Sequence, residues 1–457
     1  MATFAKVAIE SPLPQLDRLF DYLVPEDLST QIAIGQQILV PFGKSPKPVP
    51  GFVVELSDTV EFSGNIANVL EISSTKVLLP SNIYRLVRAV ADRQAVTFGD
   101  VAKTAIPTIA VRADKSWVPS PTSVSAGDHE PELVAKLSEP RVIEKAFGDD
   151  KIRCNAWIAD ALDIALSAVA NDASAIICLP DFRDVDVVAD LASESGFGAL
   201  ITRYGSELTR TERYISHLTA MEMRPQIVVG TRSALFAPLQ NLQQIVIWDD
   251  EDPSHYDQSS PYVSSREVAL IRQKLEKTSL AFLSHCRSTA VERLVKLGYL
   301  TETTVDFAKP AVAFSERDVR LDSLAFSTVR EGLLSGPVLI QVSNLGVAKS
   351  AYCKGCATRA LCQHCAGPLW IDAKNETRCR WCNGFNLSFM CPKCQGTQLR
   401  MGRAGSTRTV AELGRAFPGI PVIEATGATI VRQVDSRPKL VVSTPGAEPH
   451  ADRKSVV

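Results

Sequence analysis

The chain has 457 residues, of which 45% are hydrophobic and 22% charged, a globular composition with room for roughly two to four domains. Lys and Arg (49) nearly balance Asp and Glu (51), leaving a formal charge of −2, so overall charge does not single out a nucleic-acid binder, which is commonly basic. No apolar run of roughly 18 residues excludes a spanning helix. The N-terminus, MATFAKVAIESPLPQLDRLF, carries acids and lacks the apolar core of a signal peptide. A cytoplasmic protein is expected.

The first segment holds short apolar runs, FAKVAIE, QQILVPF, GFVVEL and ANVLEIS, separated by Pro, Gly and Ser. That spacing predicts a small β domain over 1–113. One amphipathic helix follows the strands, with Ile83, Leu86, Val87 and Val90 at the 3.6-residue period. Residues 114–140 contain VPSPTSVSAG and read as a linker. From 141 to 325 helix and strand alternate: AWIADALDIALSAV, SAIICLP, DVDVVADLAS, GALITRY, PQIVVG, LQQIVIW and SLAFLS. Such alternation predicts a parallel sheet covered by helices. A second α/β lobe starts over 326–350 at PVLIQVS, is interrupted by a cysteine block at 351–397, and resumes over 398–457 with RTVAELGRAF, PVIEAT and PKLVVSTPG. The lobe is expected to continue past KLVVSTPG, so a truncated gene model is expected, with DRKSVV read as non-native.

The cysteine block carries the most specific chemistry. Four C-x-x-C pairs occur: Cys353 with Cys356, Cys362 with Cys365, Cys379 with Cys382, and Cys391 with Cys394. Each pair aims two thiolates at one ion, and zinc takes four such ligands in a tetrahedron, so four pairs make two zinc sites. Spacing alone leaves the pairing between them open. Disulfides suit neither the expected reducing compartment nor these spacings. His364 lies between knuckle cysteines, but a full thiolate set leaves it no position. Cys154, Cys178 and Cys286 read as small buried apolar residues. From Lys349 to Arg403 nine Lys and Arg stand against only Asp372 and Glu376, a stretch suited to phosphates or to a solvated surface around the metals.

A nucleotide site would need G-x-x-x-x-G-K-[ST], whose amides and lysine cradle phosphates. The nearest string, Gly43-Lys44-Ser45, has Ile38 at the first glycine position and reads as a hairpin turn. The stretch Asn155 to Asp172 contains neither glycine nor lysine and reads as a plain amphipathic helix. Asp249, Asp250, Glu251 and Asp252 follow an apolar strand and are of the type that coordinates Mg²⁺. Without a phosphate loop they read as a vestigial cluster or solvated turn. His255 and His285 are isolated and read as structural.

Several strings resemble the PriA family of bacterial replication-restart proteins. Pro12-Leu13-Pro14 with Leu19-Phe20-Asp21-Tyr22-Leu23-Val24-Pro25, and Val40-Pro41-Phe42-Gly43-Lys44, resemble its N-terminal domain; Val229-Gly230-Thr231-Arg232-Ser233-Ala234-Leu235-Phe236-Ala237-Pro238 and the eight-cysteine block resemble its later parts. The resemblance implies that the β domain captures the 3′ end of a DNA strand through Phe20, Asp21 and Gly43. It implies that Ala67 replaces a lysine, and that one zinc is held by Cys353, Cys356, Cys391 and Cys394 and the other by Cys362, Cys365, Cys379 and Cys382. Where the family has Asp-Glu-Glu-His, this chain has Asp249-Asp250-Glu251-Asp252; Ser343-Asn344-Leu345-Gly346 and Ser443-Thr444-Pro445-Gly446-Ala447-Glu448-Pro449 replace later helicase motifs. Actinobacterial members keep the scaffold and lose the motor, so ATP is not assigned. The implied function is primosome assembly on branched DNA with a 3′ end, without helicase activity. The implied partners are primosome proteins, single-strand binding protein, and the replicative helicase with its loader. The rival readings are an active ATP-dependent 3′–5′ helicase and a zinc-dependent interaction scaffold.

Overall fold

A computed structural model describes residues 3–43, 47–60, 64–120, 129–147, 150–303, 312–314, 322–342, 350–371, 376–385, 388–401, 405–427, 429–431, 433–451 and 455–456. The chain divides into two compact units, Met1–Ala308 and Lys309–Val457.

The first unit opens with a five-stranded sheet: β1 Thr3–Ile9, β2 Leu19–Val24, β3 Gln36–Val40, β4 Val49–Ser57 and β5 Glu71–Val77, in the order β2-β1-β4-β3-β5. Alternation directs Ala5, Val7 and Ile9 of β1, with Tyr22 and Val24 of β2, into one apolar core. The pattern reading did not include β2, and the expected ANVLEIS strand is divided. Asn68 bridges to Leu23 of β2, and β5 begins three residues later. Helix α1, Ser81–Gln94, buries Ile83, Leu86, Val87 and Val90 as its period requires. Two further helices follow the expected one. Helix α2, Phe98–Ala105, starts on a capping box between Thr97 and Asp100, and α3 spans Val111–Ser116.

The stretch expected to be a linker contains a strand, β6, Leu133–Leu137. Its LVAKL run is short and lies next to polar, Pro-rich residues, which hid its period. It joins a seven-stranded parallel sheet together with β9 Ser174–Cys178, β10 Ile201–Tyr204, β11 Ile227–Gly230, β12 Leu242–Trp248, β13 Ser279–Ser284 and β14 Thr301–Thr303. The order is β10-β11-β9-β12-β13-β6-β14. Between β6 and helix α4, Ala156–Ala170, the chain forms an antiparallel hairpin of β7, Val142–Phe147, and β8, Asp150–Asn155. Helices α5, Phe182–Glu194, α6, Arg210–Ala220, α7, Ser265–Glu276, and α8, Thr289–Lys296, complete the alternation. Helix α4 is alanine-rich, a strong helix former, and buries Trp157, Ile158, Ala161, Leu162 and Ala165, more than the single stripe expected.

In the second unit α9, Ser323–Ser335, precedes β15, Val338–Gln341. Four short strands frame the cysteines: β16 Ala351–Cys353, β17 Leu369–Ile371, β18 Thr377–Cys379 and β19 Leu399–Met401, paired β16 with β19 and β17 with β18. Then come α10, Gly405–Ala416, β20 Val422–Ala425, β21 Gln433–Val434, β22 Leu440–Ser443, β23 His450–Ala451 and β24 Ser455–Val456. A parallel sheet of order β20-β22-β15-β24 packs Val338, Ile340, Leu440 and Val442 against Leu333 and Leu413. No helix among the described residues is long and apolar enough to cross a membrane.

Candidate functional site

In the β domain, Phe20 meets Phe42 edge-to-face with ring centroids 5.1 Å apart, and the Arg18 guanidinium lies 4.9 Å over the Phe20 ring. The Tyr22 hydroxyl donates to the Pro41 carbonyl at 3.0 Å, which ties the loop carrying Phe42 and Gly43 to β2. Gly43 has φ +62° and nothing within 4 Å of where a Cβ would stand, so its backbone conformation, not crowding, calls for glycine. Lys44 and Ser45 lie outside the described residues. Ala67 runs beside β2, its carbonyl accepting from the Leu23 amide at 2.9 Å. Phe20, Phe42 and Gly43 therefore share one rim. Asp21 leaves from the opposite face of β2, where its cross-strand neighbour is Lys6, itself 3.4 Å from Glu55. Arg18 and Phe42 were missed as site residues. Phe42 stood in the VPFGK string, whereas Arg18 carried no periodic signal.

The eight cysteines gather into two sets, Cys353, Cys356, Cys391 and Cys394, and Cys362, Cys365, Cys379 and Cys382, with each set's sulfurs within 4.8 Å of one another. The closest sulfur pairs are 3.3 to 3.9 Å apart, far from a disulfide and near the separation of about 3.8 Å that four thiolates adopt around an ion at about 2.3 Å. The four knuckles share one backbone. The residue after each second cysteine, Ala357, Ala366, Asn383 and Gln395, is left-handed. Each first cysteine's amide donates to the carbonyl five residues on, at Thr358, Gly367, Gly384 and Gly396. Amides of His364 and Trp381 approach Cys362 and Cys379 sulfur at 3.4 Å. The donor set suits a soft divalent ion, and His364 is not part of either set. Of the other three cysteines, Cys154 and Cys178 are buried as expected, but Cys286 is exposed because it falls in the turn just past β13.

At the carboxyl ends of β12, β13 and β6, an aromatic stack fills the edge of the sheet. Trp157 of α4 lies 4.5 Å from Trp248 at an interplanar angle of 10°, and His285 meets Trp248 edge-on at 4.9 Å. His285 Nδ1–H donates to the Ser138 carbonyl at 2.9 Å. Ser138 and Lys136 both bond Asp160 on α4, at 2.7 and 2.6 Å. Between the end of β6 and the start of α4 stands the β7–β8 hairpin.

The four acids after β12 do different things. Asp249 has φ +50° and burial, then Asp252 and Asp250, raise its carboxyl pKa. Asp250 is buried, not solvated as expected; it pairs with Arg266 at 2.6 Å and accepts from Ser288 at 2.8 Å. Glu251 is exposed, and Asp252 caps the turn at Ser254 at 2.7 Å. His255 is fully buried, donating from Nε2 to the Trp248 carbonyl and accepting at Nδ1 from Ser265, each at 2.8 Å, and burial lowers its pKa. The replacement string Ser343-Asn344-Leu345-Gly346 lies outside the described residues. Ser443 ends β22, and Thr444 to Pro449 follow it.

Comparison with known proteins supplies the context. The family model described as PriA 3′DNA-binding domain (3′BD) matches residues 6–107. The probable replication restart protein PriA of Mycobacterium leprae is 32% identical over 472 residues, covering 96% of this chain and 72% of that protein. Its counterpart from Mycobacterium tuberculosis is 32% identical over 474 residues, with 96% and 71% covered. The replication restart protein PriA of Rickettsia felis is 22% identical over 431 residues, with 87% and 63% covered. An N-terminal 3′ DNA-binding domain, a parallel α/β lobe, paired cysteine sets and 32% identity over nearly the full length place this chain in the PriA family of replication restart proteins.

Proposed function

We propose that the protein starts replication restart by binding branched DNA at stalled forks, gripping a free 3′ end at the Phe20–Phe42–Gly43 rim, and that it does so without ATP-driven unwinding. The rim carries the reading: two aromatic rings, one under a guanidinium, form a stacking platform for a terminal base beside a glycine turn that a strand can approach closely. Asp21, on the far face of β2, does not join that platform in this arrangement. Absence of unwinding is supported by the hairpin and the Trp157–Trp248 pair at the phosphate-loop position. Two zinc ions hold the cysteine module. The module and lobe then present surfaces to primosome proteins, single-strand binding protein, and the replicative helicase with its loader, in the cytoplasm.

The test is equilibrium binding to a labelled fork with a free 3′-hydroxyl, the same fork with that end blocked, and plain duplex, at two salt concentrations. The free-ended fork binds tightest. Phe20→Ala removes one stacked base, about 1–3 kcal/mol, from the fork and leaves duplex binding unchanged. Equal losses on fork and duplex count against the rim, and a salt-insensitive signal counts against phosphate contacts.

A further inference from the structure

Helix α6 belongs to the α/β lobe, yet one face of it bonds the N-terminal domain and its helices, all within one compact unit. A capping box between Thr209 and Glu212 fixes where the helix starts. Arg210, Tyr214 and His217 then stand at i, i+4 and i+7, which puts all three on that face. The exposed Arg210 donates to the Ile109 carbonyl, between α2 and α3. The Tyr214 hydroxyl donates to Asp114 of α3 at 2.6 Å, and the same carboxylate oxygen accepts from Ser74 of β5 at 2.8 Å. His217 donates from Nε2 to the Leu78 carbonyl, just past β5, and accepts at Nδ1 from Tyr204 of β10, each at 2.8 Å. Tyr214 and His217 are fully buried.

Leu78 is in turn bonded to the strand that leads to the 3′-end rim. The amides of Leu78 and Leu79 donate to the Gly35 carbonyl at 2.9 Å, and Gln36, the first residue of β3, donates from its side chain to the Thr75 carbonyl at 3.0 Å. Gly35 has φ +89°, and a Cβ there would stand 2.5 Å from the Leu79 carbonyl oxygen, so this approach calls for glycine. Strand β3 ends at Val40 and delivers Phe42 and Gly43 to the rim. Around these bonds one apolar core takes Leu78, Ile83 and Leu86 from the N-terminal side together with Tyr214, Leu218 and Leu235 from the lobe. Apolar contact is non-directional and tolerates small slides. Buried polar bonds do not, because a slide that breaks one leaves a donor and an acceptor unpaired, at about 1–3 kcal/mol for each group.

We propose that Asp114, Tyr214 and His217 are positioning residues for fork recognition: they hold the 3′-end rim in one orientation on the lobe, and fork selectivity depends on them although the two buried rings touch no DNA. The inference rests on the proposed binding of branched DNA. A rim that is fixed on the unit engages strand end and branch together only when the DNA sets them at the matching distance, whereas a loosely attached rim accepts many distances.

The test is equilibrium binding to a series of forks whose free 3′ end stands at increasing numbers of unpaired template nucleotides from the branch, alongside a single strand with a free 3′ end, which reports the rim alone. The parent is expected to favour one spacing over the least favoured by about tenfold. Tyr214→Phe and His217→Phe keep a ring and remove the bonds; each lowers that preference to about threefold, the double variant abolishes it, and single-strand binding is unchanged in all three. Asp114→Asn keeps an acceptor for both hydroxyls and keeps the full preference, whereas Asp114→Leu behaves as Tyr214→Phe does. Hydrogen exchange across α1 and β12 reports which variants are folded, and the single variants decide the matter where the double variant is not. An unchanged profile in folded Tyr214→Phe and His217→Phe, or an equal loss at every spacing, overturns the inference, since a merely structural role weakens all forks alike. So does a parent that prefers free ends yet accepts every spacing equally. A parent that does not distinguish a free from a blocked 3′ end overturns the proposed function, and this inference with it.

Discussion

Replacing Trp157 by alanine tests whether the aromatic stack replaces a ligand at the edge of the sheet. Trp157 and Trp248 are only 5% and 7% exposed. Truncating a buried tryptophan costs about 3–5 kcal/mol in lost transfer energy and cavity formation. The near-parallel ring pair at 4.5 Å adds about 0.5–1.5 kcal/mol of its own. The chain has several compact parts, so a single unfolding midpoint would blur the effect. Hydrogen exchange read on peptides from α4 and β12 is local. A loss of about 3 kcal/mol lowers protection there by about two orders of magnitude. The double variant with Trp248→Ala falls short of additivity by about 1 kcal/mol because the two rings share one contact. Adding ATP with Mg²⁺ leaves the exchange of both variants unchanged, since removing rings does not supply a glycine loop or a lysine. Protection within threefold of the parent in Trp157→Ala would refute the claim that this stack holds the edge, and recovery on adding nucleotide would show a phosphate site beneath it.

Three further outcomes follow from the same geometry. Folded, reduced protein carries about two zinc ions per chain by atomic emission; Cys362→Ser releases one of them, and loss of both would mean that the two sets do not bind independently. Asp250→Ala strands the half-buried Arg266 and costs about 3–5 kcal/mol in exchange stability at the start of α7, whereas exposed Glu251→Ala stays within about 0.5 kcal/mol; similar costs would mean the two acids are equivalent. His217 is fully buried between the Tyr204 hydroxyl and the Leu78 carbonyl, and burial brings its pKa from 6.5 to about 4. At pH 7 it is neutral folded or unfolded; below 6.5 the unfolded chain takes up a proton that the folded chain refuses until about 4, so stability falls by about 2 kcal/mol between pH 7 and pH 5. Asp184, its pKa raised to about 7 by burial and then by Asp181, runs the other way over the same window, so the His217 contribution is the difference in slope between parent and His217→Gln; equal slopes would refute it.

How much of this was legible depended on how local the chemistry is. The cysteine sets could be read because a C-x-x-C knuckle is complete within six or seven residues, down to the glycines at 367, 384 and 396 whose carbonyls receive the first cysteine's amide. Helix α1 could be read because Ile83, Leu86, Val87 and Val90 all face one core. Strand β6 could not, since its five residues acquire a period only when β13 and β14 flank them, and the polar run before it looked like linker. Asp21 illustrates a different limit. Adjacent residues in a strand point to opposite faces, so a resemblance carried by Phe20-Asp21 as a pair assigns the same site to two side chains that the pleat separates.

The acids at 249–252 and the tryptophans bear on each other in a way no string of residues reveals. From sequence, the missing glycines and lysine left those carboxylates without a substrate, and a solvated turn was the natural expectation. In the fold, the carboxyl edge of β12 and β13 carries the buried Trp157 and Trp248 with the exposed His285 against them, contributed from positions up to 128 residues apart. Once that space is filled by rings, a buried carboxylate beside it must find another counter-charge or be driven neutral. Asp250 finds Arg266 and Ser288, while Asp249 and Asp184 have their pKa raised, by burial first and then by neighbouring carboxylates, Asp252 and Asp250 for the one and Asp181 for the other. The aromatic stack at this edge and the pairing of the acids beside it are therefore parts of one arrangement. Grafting a glycine-lysine loop after β6 while Trp157 and Trp248 remain would place phosphate against indole, so such a graft is expected to yield no nucleotide binding in an equilibrium titration. Binding by such a graft would show that the stack yields to phosphate and that the acids do not depend on it.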